Sequence, residues 1–136
     1  MGTESLGPRV LVVEDDEQVR RLLCRILELY GYTTAESDNG IGAFAQLRLV
    51  VPSVVVLDLM MPAVNGFQVA QRMREHPVWR AVPIIAMTAS IHLEEQIRAM
   101  NPTVLLRKPF SMEDLLDAVA AVVPGPAADA GAAPVT

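Results

Sequence analysis

Short runs of aliphatic residues alternate along the chain with stretches in which apolar residues recur at helical spacing. The alternation repeats five times between Arg9 and Val123. Near-continuous apolar strands are typical of a parallel sheet that is covered by helices on both faces. The pattern therefore predicts an α/β domain of the (βα)5 type, with a doubly wound, parallel, five-stranded sheet. The predicted strands span residues 9–13, 32–36, 53–57, 83–87 and 103–106.

The stretches between and after these strands predict five helices. The first is followed by Gly31, a residue suited to the position just past a helix end. The fifth begins with Ser111 and Asp114, which resemble a capping box. The fourth, at residues 93–100, has the weakest pattern. The apolar positions of the first three helices are Val19, Leu22, Leu23, Ile26 and Leu27, then Ile41, Phe44, Ala45 and Leu47, then Phe67, Val69, Ala70 and Met73.

Length and composition bound what such a domain can do. The chain has 136 residues, 51% of them hydrophobic and 20% charged, with a net charge of −5. That composition predicts one folded domain at residues 9–123, between a flexible N-terminus at 1–8 and a disordered Pro/Ala/Gly-rich tail at 124–136. The acidic balance argues against direct nucleic-acid binding, because phosphate contacts need a basic patch.

Targeting signals and isolated side chains add little to this picture. Cys24 is the single cysteine, and no apolar run approaches the roughly 18 residues of a membrane span. Residues 1–8 lack a signal-peptide core, so we expect a cytoplasmic protein that does not contact membranes.

Trp79 is expected at the bottom of the sheet and His76 on the solvent side. Helix 1 is locally basic, which indicates a solvated face or a face for kinase docking; its basic residues are Arg20, Arg21 and Arg25.

Four of the predicted strands lead into polar side chains. The carboxyl ends of parallel strands share one edge of the sheet, where such folds bind ligands, so these groups are expected to converge. Carboxylates brought within about 4 Å repel by roughly 4 kcal/mol per pair at an effective dielectric of about 20, and a cation must offset them. The residues are Glu14 and Asp15 after the first strand, Asp58 after the third, Thr88 after the fourth and Lys108 after the fifth.

These side chains are suited to phosphoryl transfer. Oxygen ligands with no histidine or second cysteine nearby indicate a hard ion of the Mg²⁺ type. A carboxylate beside such an ion can act as a nucleophile and form an aspartyl phosphate. The metal and Lys108 would neutralise the phosphoryl oxygens, and Thr88 would donate a hydrogen bond to one of them.

Four short motifs occur in order, each at the end of a predicted strand. They are Glu14-Asp15, the run from Asp58 to Pro62 followed by Asn65-Gly66, Met87-Thr88-Ala89, and Lys108-Pro109-Phe110. Together they resemble the receiver domain of bacterial two-component response regulators, over a stretch from Arg9 to about Val123. The resemblance implies a flavodoxin-like strand order, 2-1-3-4-5, and a cis peptide bond between Lys108 and Pro109.

The resemblance also implies roles at the phosphorylation site. Asp58 would be the phosphoacceptor, with a histidine kinase or phosphotransfer protein as donor. Thr88 and Lys108 would contact the phosphoryl group. Mg²⁺ would be surrounded by Glu14 through water, by Asp15, by Asp58 and by the main-chain carbonyl of Met60.

Signal output is implied on a different part of the fold. Thr88 and Leu105 would form the switch, with Leu105 standing where most receivers carry an aromatic residue. Family members change shape on the face formed by helix 4, strand 5 and helix 5. That face would contact a downstream protein or a second copy of the chain as a homodimer.

The leading hypothesis is a phosphorylation-activated switch that phosphorylates and dephosphorylates only itself. With nothing after Val123 predicted to fold, output is expected through contact with another protein, and use in a phosphorelay is equally allowed. The alternative is a small aspartate-based phosphatase or phosphotransferase, but such enzymes place Asp-x-Asp after the first strand, where this chain has Glu14-Asp15-Asp16. A flavodoxin-like binding domain would need a Ser/Thr/Gly-rich phosphate loop at the same place.

Overall fold

The computed structural model describes residues 7–123, in which five strands and five helices alternate. The predicted tail, and the predicted N-terminal segment apart from Gly7 and Pro8, lie outside these residues. No helix in the described range has the length and apolarity needed to cross a membrane. The elements are β1 Arg9–Val13, α1 Glu17–Leu29, β2 Thr33–Ser37, α2 Gly40–Leu49, β3 Val54–Asp58, α3 Gly66–Glu75, a 3-10 helix Trp79–Ala81, β4 Ile84–Thr88, α4 Glu94–Met100, β5 Val104–Arg107 and α5 Met112–Val122.

The strands form one parallel sheet in the order β2-β1-β3-β4-β5. This confirms the predicted fold class and strand order. Asp58 and Thr88 are the last residues of their strands rather than the residues after them, which corrects the predicted ends of β3 and β4. The reason is that strand pairing uses backbone groups: Asp58 pairs with Met87, and the Leu59 amide still donates to the Met87 carbonyl at 2.9 Å.

Helices cover both faces of the sheet, as the alternation of apolar strands and helices predicts. One core cluster joins Val10 and Val12 of β1 to buried residues of α1 and α5. The second joins Leu11 and Val13 to buried residues of α2 and α3. Successive residues of a strand point to opposite faces, so β1 contributes to both cores and is buried from Val10 to Val13.

Side-chain oxygens at the helix starts help to fix the loops around the carboxyl edge of the sheet. Asp16 accepts a hydrogen bond from the Val19 amide at 3.1 Å and begins α1. The predicted capping box of Ser111 and Asp114 is confirmed at the start of α5. Asn65 begins α3 with a second capping box that the sequence analysis missed. These bonds satisfy helix amides that would otherwise lack partners.

Two of the predicted apolar stripes are partly wrong: that of α1 at Leu22, and that of α2 at Ile41 and at Ala45, which is also exposed. Leu22 is 59% exposed and Ile41 is 67% exposed, so neither packs on the sheet. In α1 the buried positions are Leu23, Cys24 and Leu27. A residue one place along a helix is rotated by about 100°, which is enough to move a leucine at the margin of the stripe from the sheet to solvent.

His76 also differs from its predicted solvent-side position. Its ring stacks on buried Trp79 with centroids 3.8 Å apart and an interplanar angle of 10°. Its Nδ1 accepts hydrogen bonds from the amides of Val78 and Trp79 at 3.1 and 3.2 Å. His76 therefore holds the connection between α3 and β4 instead of extending freely into water.

Gly66 marks the tightest approach between α3 and the end of β3. A Cβ at Gly66 would overlap the Asp58 carbonyl oxygen and lie 2.7 Å from Leu59 Cα. Because these are backbone atoms, they cannot rotate away, and Gly66→Ala should lower the free energy of unfolding in urea by about 1–3 kcal/mol. The matched control is Gly42→Ala, whose Cβ meets the tip of the Ser37 side chain and which should cost less. Equal losses in the two variants would contradict this account.

Candidate functional site

Three carboxylates meet at the carboxyl edge of the sheet. Glu14 and Asp15 follow β1, and Asp58 ends β3, the strand beside it. One carboxylate oxygen from each residue lies within 4.8 Å of the others. Glu14 and Asp58 are buried, whereas Asp15 is exposed at the opening of the site. The structure therefore brings together the three acidic residues that the sequence analysis singled out.

Lys108 is the cation of this cluster. Its Nζ lies 3.0 Å from Glu14 Oε1 and 3.6 Å from Asp58 Oδ2. The Lys108 amide donates to the Thr88 carbonyl at 2.8 Å, which ties the lysine to the end of β4. The Lys108–Pro109 peptide bond is cis, which confirms the implied geometry.

Burial and charge act in opposite directions on the ionisable groups. Burial raises the pKa of Glu14, and the hydrogen bonds from Lys108 and the Asp16 amide offset that rise only in part. Burial also lowers the pKa of Lys108, but its hydrogen bond to Glu14 and the charge of Asp58 outweigh burial, so this pKa lies above its ordinary value. Lys108 consequently stays charged, and the acidic pair is left with an electrostatic cost that one ammonium group does not remove.

The two oxygens of Asp58 have different surroundings. Oδ1 accepts a hydrogen bond from the Met60 amide at 3.1 Å, and Oδ2 faces Lys108. The carboxylate is therefore held at one end, with its other oxygen beside a positive charge. An ionised carboxylate fixed in this way can serve as a metal ligand or as a nucleophile.

Thr88 ends β4, and Leu105 lies on β5; within the described residues neither side chain forms a hydrogen bond with the acidic cluster. The Thr88 hydroxyl is fully buried and accepts a hydrogen bond from the Ser90 amide at 3.0 Å. Within residues 7–123, no hydrogen bond joins this hydroxyl to the carboxylates of the site. Leu105 packs against a small cluster of Leu59, Ala86 and Ile97, beneath the end of β3.

Arg20 is a site residue that the sequence analysis assigned to a basic face of helix 1. Its side chain is only 12% exposed. Nη1 donates to the Glu14 carbonyl oxygen at 3.0 Å, and Nε donates to Glu36 Oε1 at 2.8 Å. The Glu36 carboxylate raises the pKa of Arg20. Arg20 thus fixes the backbone at Glu14, whereas Arg21 remains exposed and pairs with Glu17.

A sequence signal for Arg20 was available. The side chain lies in the first turn of α1, and Glu36 lies near the carboxyl end of β2, the strand that pairs with β1. A basic residue and an acidic residue placed at the same edge of adjacent elements can form an ion pair. To recognise the Arg20–Glu36 ion pair, one must also know the β1–β2 register, in which Glu36 lies beside Val12.

Residues 10–120 match the family model described as the response regulator receiver domain. The chain belongs to this family. Receiver domains are signalling switches rather than conventional enzymes, and they interact with histidine kinases or phosphotransfer proteins and with downstream targets. They bind Mg²⁺ at an acidic pocket, and Glu14, Asp15 and Asp58 form such a pocket in this receiver domain.

Relatives of two lengths resemble this receiver domain. Protein PilG of Pseudomonas aeruginosa is 29% identical over 126 residues, which cover 91% of this chain and 93% of PilG. The DNA-binding dual master transcriptional regulator RpaA of Synechocystis is 32% identical over 118 residues, which cover 85% of this chain. The match covers 49% of RpaA and 52% of the phosphate regulon transcriptional regulatory protein PhoB of Escherichia coli. The chain thus spans about half the length of these two relatives.

Solved structures show the same fold. The chemotaxis protein CheY4 of Vibrio cholerae superposes with a TM-score of 0.79 at 27% identity, covering 85% of this chain and 98% of CheY4. A response regulator from Chloroflexus aurantiacus superposes equally well, with a TM-score of 0.79 at 26% identity, over 85% of this chain and 96% of that protein. The parallel sheet and its helices are therefore those of a receiver domain.

Replacing Lys108 tests the electrostatic balance of the site. In Lys108→Gln, Glu14 and Asp58 lose their shared cation. The free energy of unfolding at pH 7 should therefore fall by about 1–3 kcal/mol. This loss is smaller than that for a fully buried pair, because the Lys108 side chain is 27% exposed. Because the pKa of Glu14 is raised in the folded protein, its ionisation destabilises the fold at any pH above the ordinary pKa of a glutamate side chain. The stability lost in Lys108→Gln should therefore shrink as the pH falls toward about 4. Urea denaturation across this pH range measures the loss.

The matched control for that experiment is Arg21→Gln. Arg21 forms an exposed pair with Glu17 at 3.2 Å, and its loss should change stability by less than about 0.5 kcal/mol. Added Mg²⁺ should restore part of the stability that Lys108→Gln loses, and it should stabilise Arg21→Gln no more than it stabilises the unaltered chain. Identical losses in both variants at every pH would show that Lys108 does not offset the buried carboxylates.

Proposed function

We propose that this protein is a phosphorylation-activated signalling switch whose phosphoacceptor is Asp58. The observation that carries the proposal is the setting of that carboxylate: Oδ1 is held by the Met60 amide, and Oδ2 lies 3.6 Å from Lys108 Nζ, next to two further acidic residues. The phosphoryl group would come from a histidine kinase or a phosphotransfer protein.

The transfer consists of one bond made and one bond broken. An oxygen of ionised Asp58 attacks the phosphorus atom, and the bond from phosphorus to the donor breaks, with its electron pair leaving on the donor. Asp58 needs no base, because a carboxylate has no proton to lose. Lys108 would neutralise one phosphoryl oxygen, and the Thr88 hydroxyl would donate to another after turning from its bond with the Ser90 amide.

The acidic residues fit a bound Mg²⁺ ion. Their oxygens converge within 4.8 Å, and the donor set contains oxygen only, which suits a small hard cation. Asp15, Asp58 and the Met60 carbonyl would hold the ion directly, and Glu14 would hold it through water. When bound, Mg²⁺ supplies positive charge that offsets the carboxylates and the incoming phosphoryl oxygens.

The arrangement favours a switch over an aspartate-based phosphatase or phosphotransferase. Such an enzyme would use a second aspartate in the loop after β1, at the position of Asp16. Here the Asp16 side chain instead accepts a hydrogen bond from the Val19 amide and begins α1. The candidate nucleophile is Asp58, at the end of β3, so the reaction would be confined to forming and hydrolysing an aspartyl phosphate on this chain.

Thr88 and Leu105 would pass the phosphorylation signal to the surface. Leu105 packs against the cluster of Leu59, Ala86 and Ile97. In this cluster, Leu59 follows Asp58 and Ala86 lies two residues before Thr88. Arg107 connects the loop after β4 to β5, since it lies 3.7 Å from Glu94 Oε2 and donates to the Ser90 carbonyl at 3.4 Å. A Thr88 movement would therefore act on the surface formed by α4, β5 and α5.

We further propose that the output is contact with another protein, in the cytoplasm. PilG and CheY4 are each matched over more than nine tenths of their length, so a receiver domain accounts for nearly all of each of these two proteins. Passing the phosphoryl group along a relay would use the same Asp58 chemistry. A homodimer through the surface formed by α4, β5 and α5 is the second candidate for the output.

Asp58→Asn tests the phosphoacceptor. Incubated with Mg²⁺ and acetyl phosphate, the unaltered chain should gain the mass of one phosphoryl group in intact mass spectrometry, and Asp58→Asn should gain none. The matched control is Asp16→Asn, which removes a nearby carboxylate and keeps the helix cap, because asparagine caps as well as aspartate. A mass gain that persists in Asp58→Asn would reject Asp58, and many turnovers without a mass gain would favour the enzyme.

Asp15→Asn tests the metal site. Asp15 is exposed, so the variant should fold, but losing one negative ligand should weaken Mg²⁺ binding by at least about tenfold in isothermal titration calorimetry. Asp16→Asn should bind Mg²⁺ within about twofold of the unaltered chain, since its carboxylate caps α1. An unchanged affinity in Asp15→Asn would remove Asp15 from the site.

A further inference from the structure

The amino ends of the strands meet at the edge of the sheet opposite to the phosphorylation site, and this amino edge is rich in arginine. Helices α1 to α4 end there, because each returns the chain to the start of the next strand. Glu28 and Glu75 lie in the last turns of α1 and α3, so the edge carries a net positive charge. Six arginines begin a strand, lie in the 3-10 helix or lie in the last turn of a helix: Arg9, Arg48, Arg72, Arg74, Arg80 and Arg98.

These arginines are not neutralised by the described part of the chain. Within residues 7–123, none of the six forms an ion pair with a carboxylate. The partial negative charge at a helix end favours a basic residue in the last turn, as at Arg48 and Arg98. Helix ends do not account for Arg9 and Arg80, which lie outside the α-helices.

Large apolar side chains are exposed at the same edge. Each belongs to a segment that leads into a strand, and their exposed fractions run from 47% to 73%. They are Leu29 and Tyr30 before β2, Leu49, Val50 and Val51 before β3, and Val78 before β4. Apolar side chains grouped on a surface and bordered by charge indicate an interaction site.

Backbone hydrogen bonds hold these segments side by side. The Thr33 amide donates to the Pro8 carbonyl at 3.0 Å, and the Ser53 amide donates to the Arg9 carbonyl at 2.8 Å. The apolar segments before β2 and β3 therefore flank Arg9, and the segment with Arg80 follows before β4. Neighbouring strands lie about 4.8 Å apart, so apolar and basic residues alternate along a short row.

We infer that the amino edge docks a short segment of a partner protein in which aspartate or glutamate residues flank a large apolar side chain. The apolar side chain would lie on Leu49 and Val51, and the carboxylates would pair with Arg48 and Arg80. Complementary charge selects partners and speeds their association, and burial of the exposed aliphatic groups would add affinity.

Extended anions suit this edge less well than a short acidic segment. Duplex nucleic acid and anionic lipid present negative charge over an area larger than the amino edge. The chain has a net charge of −5, so a broad anionic surface would repel the rest of the molecule. A short acidic segment meets the amino edge alone.

A second copy of the chain would offer its largest group of carboxylates at its carboxyl edge. A contact between opposite edges of two copies is head-to-tail, and such a contact continues into a filament unless the rotation closes a ring. A segment of a different protein forms a closed contact with one copy, which favours it as the occupant.

The amino edge is remote from Asp58. Strand β3 separates Val51 from Asp58, is about 16 Å long and pairs with strands on both sides. A phosphoryl group on Asp58 should therefore leave this surface unchanged. The docked partner would be held in both states of the proposed switch, so this surface goes beyond the proposed function by placing the switch rather than carrying its signal.

The test of charge uses the full chain and the synthetic peptide Glu-Glu-Leu-Phe-Glu-Glu. Amide chemical-shift changes in ¹⁵N-labelled protein should map to residues 28–33, 48–53 and 78–82, and binding should fall as salt is raised. Arg48→Glu and Arg80→Glu should each weaken binding by about fivefold. The matched control Arg21→Glu makes the same charge change in the first half of α1 and should bind within about twofold of the unaltered chain.

The test of the apolar contact compares two positions on one helix. Leu49 and Ile41 are 73% and 67% exposed and lie near opposite ends of α2, so glutamine at either position should leave the core intact. Leu49→Gln should weaken peptide binding by about fivefold, whereas Ile41→Gln should change it by less than about twofold.

Four results would overturn the inference. They are shift changes that are absent or map outside the amino edge, equal binding of a sister peptide with lysines for the glutamates, and equal losses in Leu49→Gln and Ile41→Gln. The fourth is tighter binding to another occupant that Arg48→Glu weakens: phosphatidylglycerol vesicles, duplex DNA, or a second copy in sedimentation velocity.

Acetyl phosphate labelling of Asp58 is measured separately on the same samples. Labelling without peptide binding refutes the docking inference alone. Peptide binding without labelling refutes the proposed function and leaves the amino edge as a docking surface. Peptide affinity that changes more than about twofold on labelling would refute the independence of the two sites.

Discussion

The burial of Glu14 and Asp58 around a single ammonium group is the constraint on which the rest of this structure depends. Two carboxylates with almost no solvent access face one lysine, and burial keeps the pKa of Glu14 raised in spite of it. Such a cluster is held together by the surrounding backbone rather than by its own electrostatics. The Glu14 amide donates to the Ser37 carbonyl at 3.0 Å, and the Lys108 amide donates to the Thr88 carbonyl at 2.8 Å, so paired strand ends fix the charged residues.

The hydrophobic layers explain how the fold tolerates this cost. β1, β3 and β4 are buried over nearly their whole length, and burying each large aliphatic side chain stabilises the fold by about 1.5–3 kcal/mol. The central strands thus anchor the carboxyl edge while the loops beyond it carry the polar groups. Arg20 adds a polar anchor, because it joins the Glu14 carbonyl to Glu36 on the outer strand. The retained excess of negative charge leaves the site receptive to a cation.

Periodicity in the sequence predicts the sheet, its helices and the meeting of Glu14, Asp15, Asp58 and Lys108, because parallel strands bring their carboxyl ends to one edge. Individual side-chain environments were harder to predict. The environment of Leu22 depends on a rotation of α1 that the pattern fixes only approximately, and that of Arg20 depends on the β1–β2 register. The stacking of His76 depends on a 3-10 turn that brings Trp79 onto its ring. None of these errors changed the identity of an element.

Strand β5 explains how chemistry at one edge of the sheet can reach a partner surface. It has one neighbouring strand in the described sheet, so shifting it breaks the backbone hydrogen bonds of one strand pairing, whereas shifting β3 would break those of two. Its four residues lead directly into Lys108, and Leu105 and Leu106 line an open groove between β5 and α5. A phosphoryl group on Asp58 would add negative charge beside Lys108 and change the pull on the end of this strand. β5, one of the two edge strands of the described sheet, thus joins the charged site to the groove beside α5, and the proposed switch would use this connection to turn a change of charge at Asp58 into a change of shape.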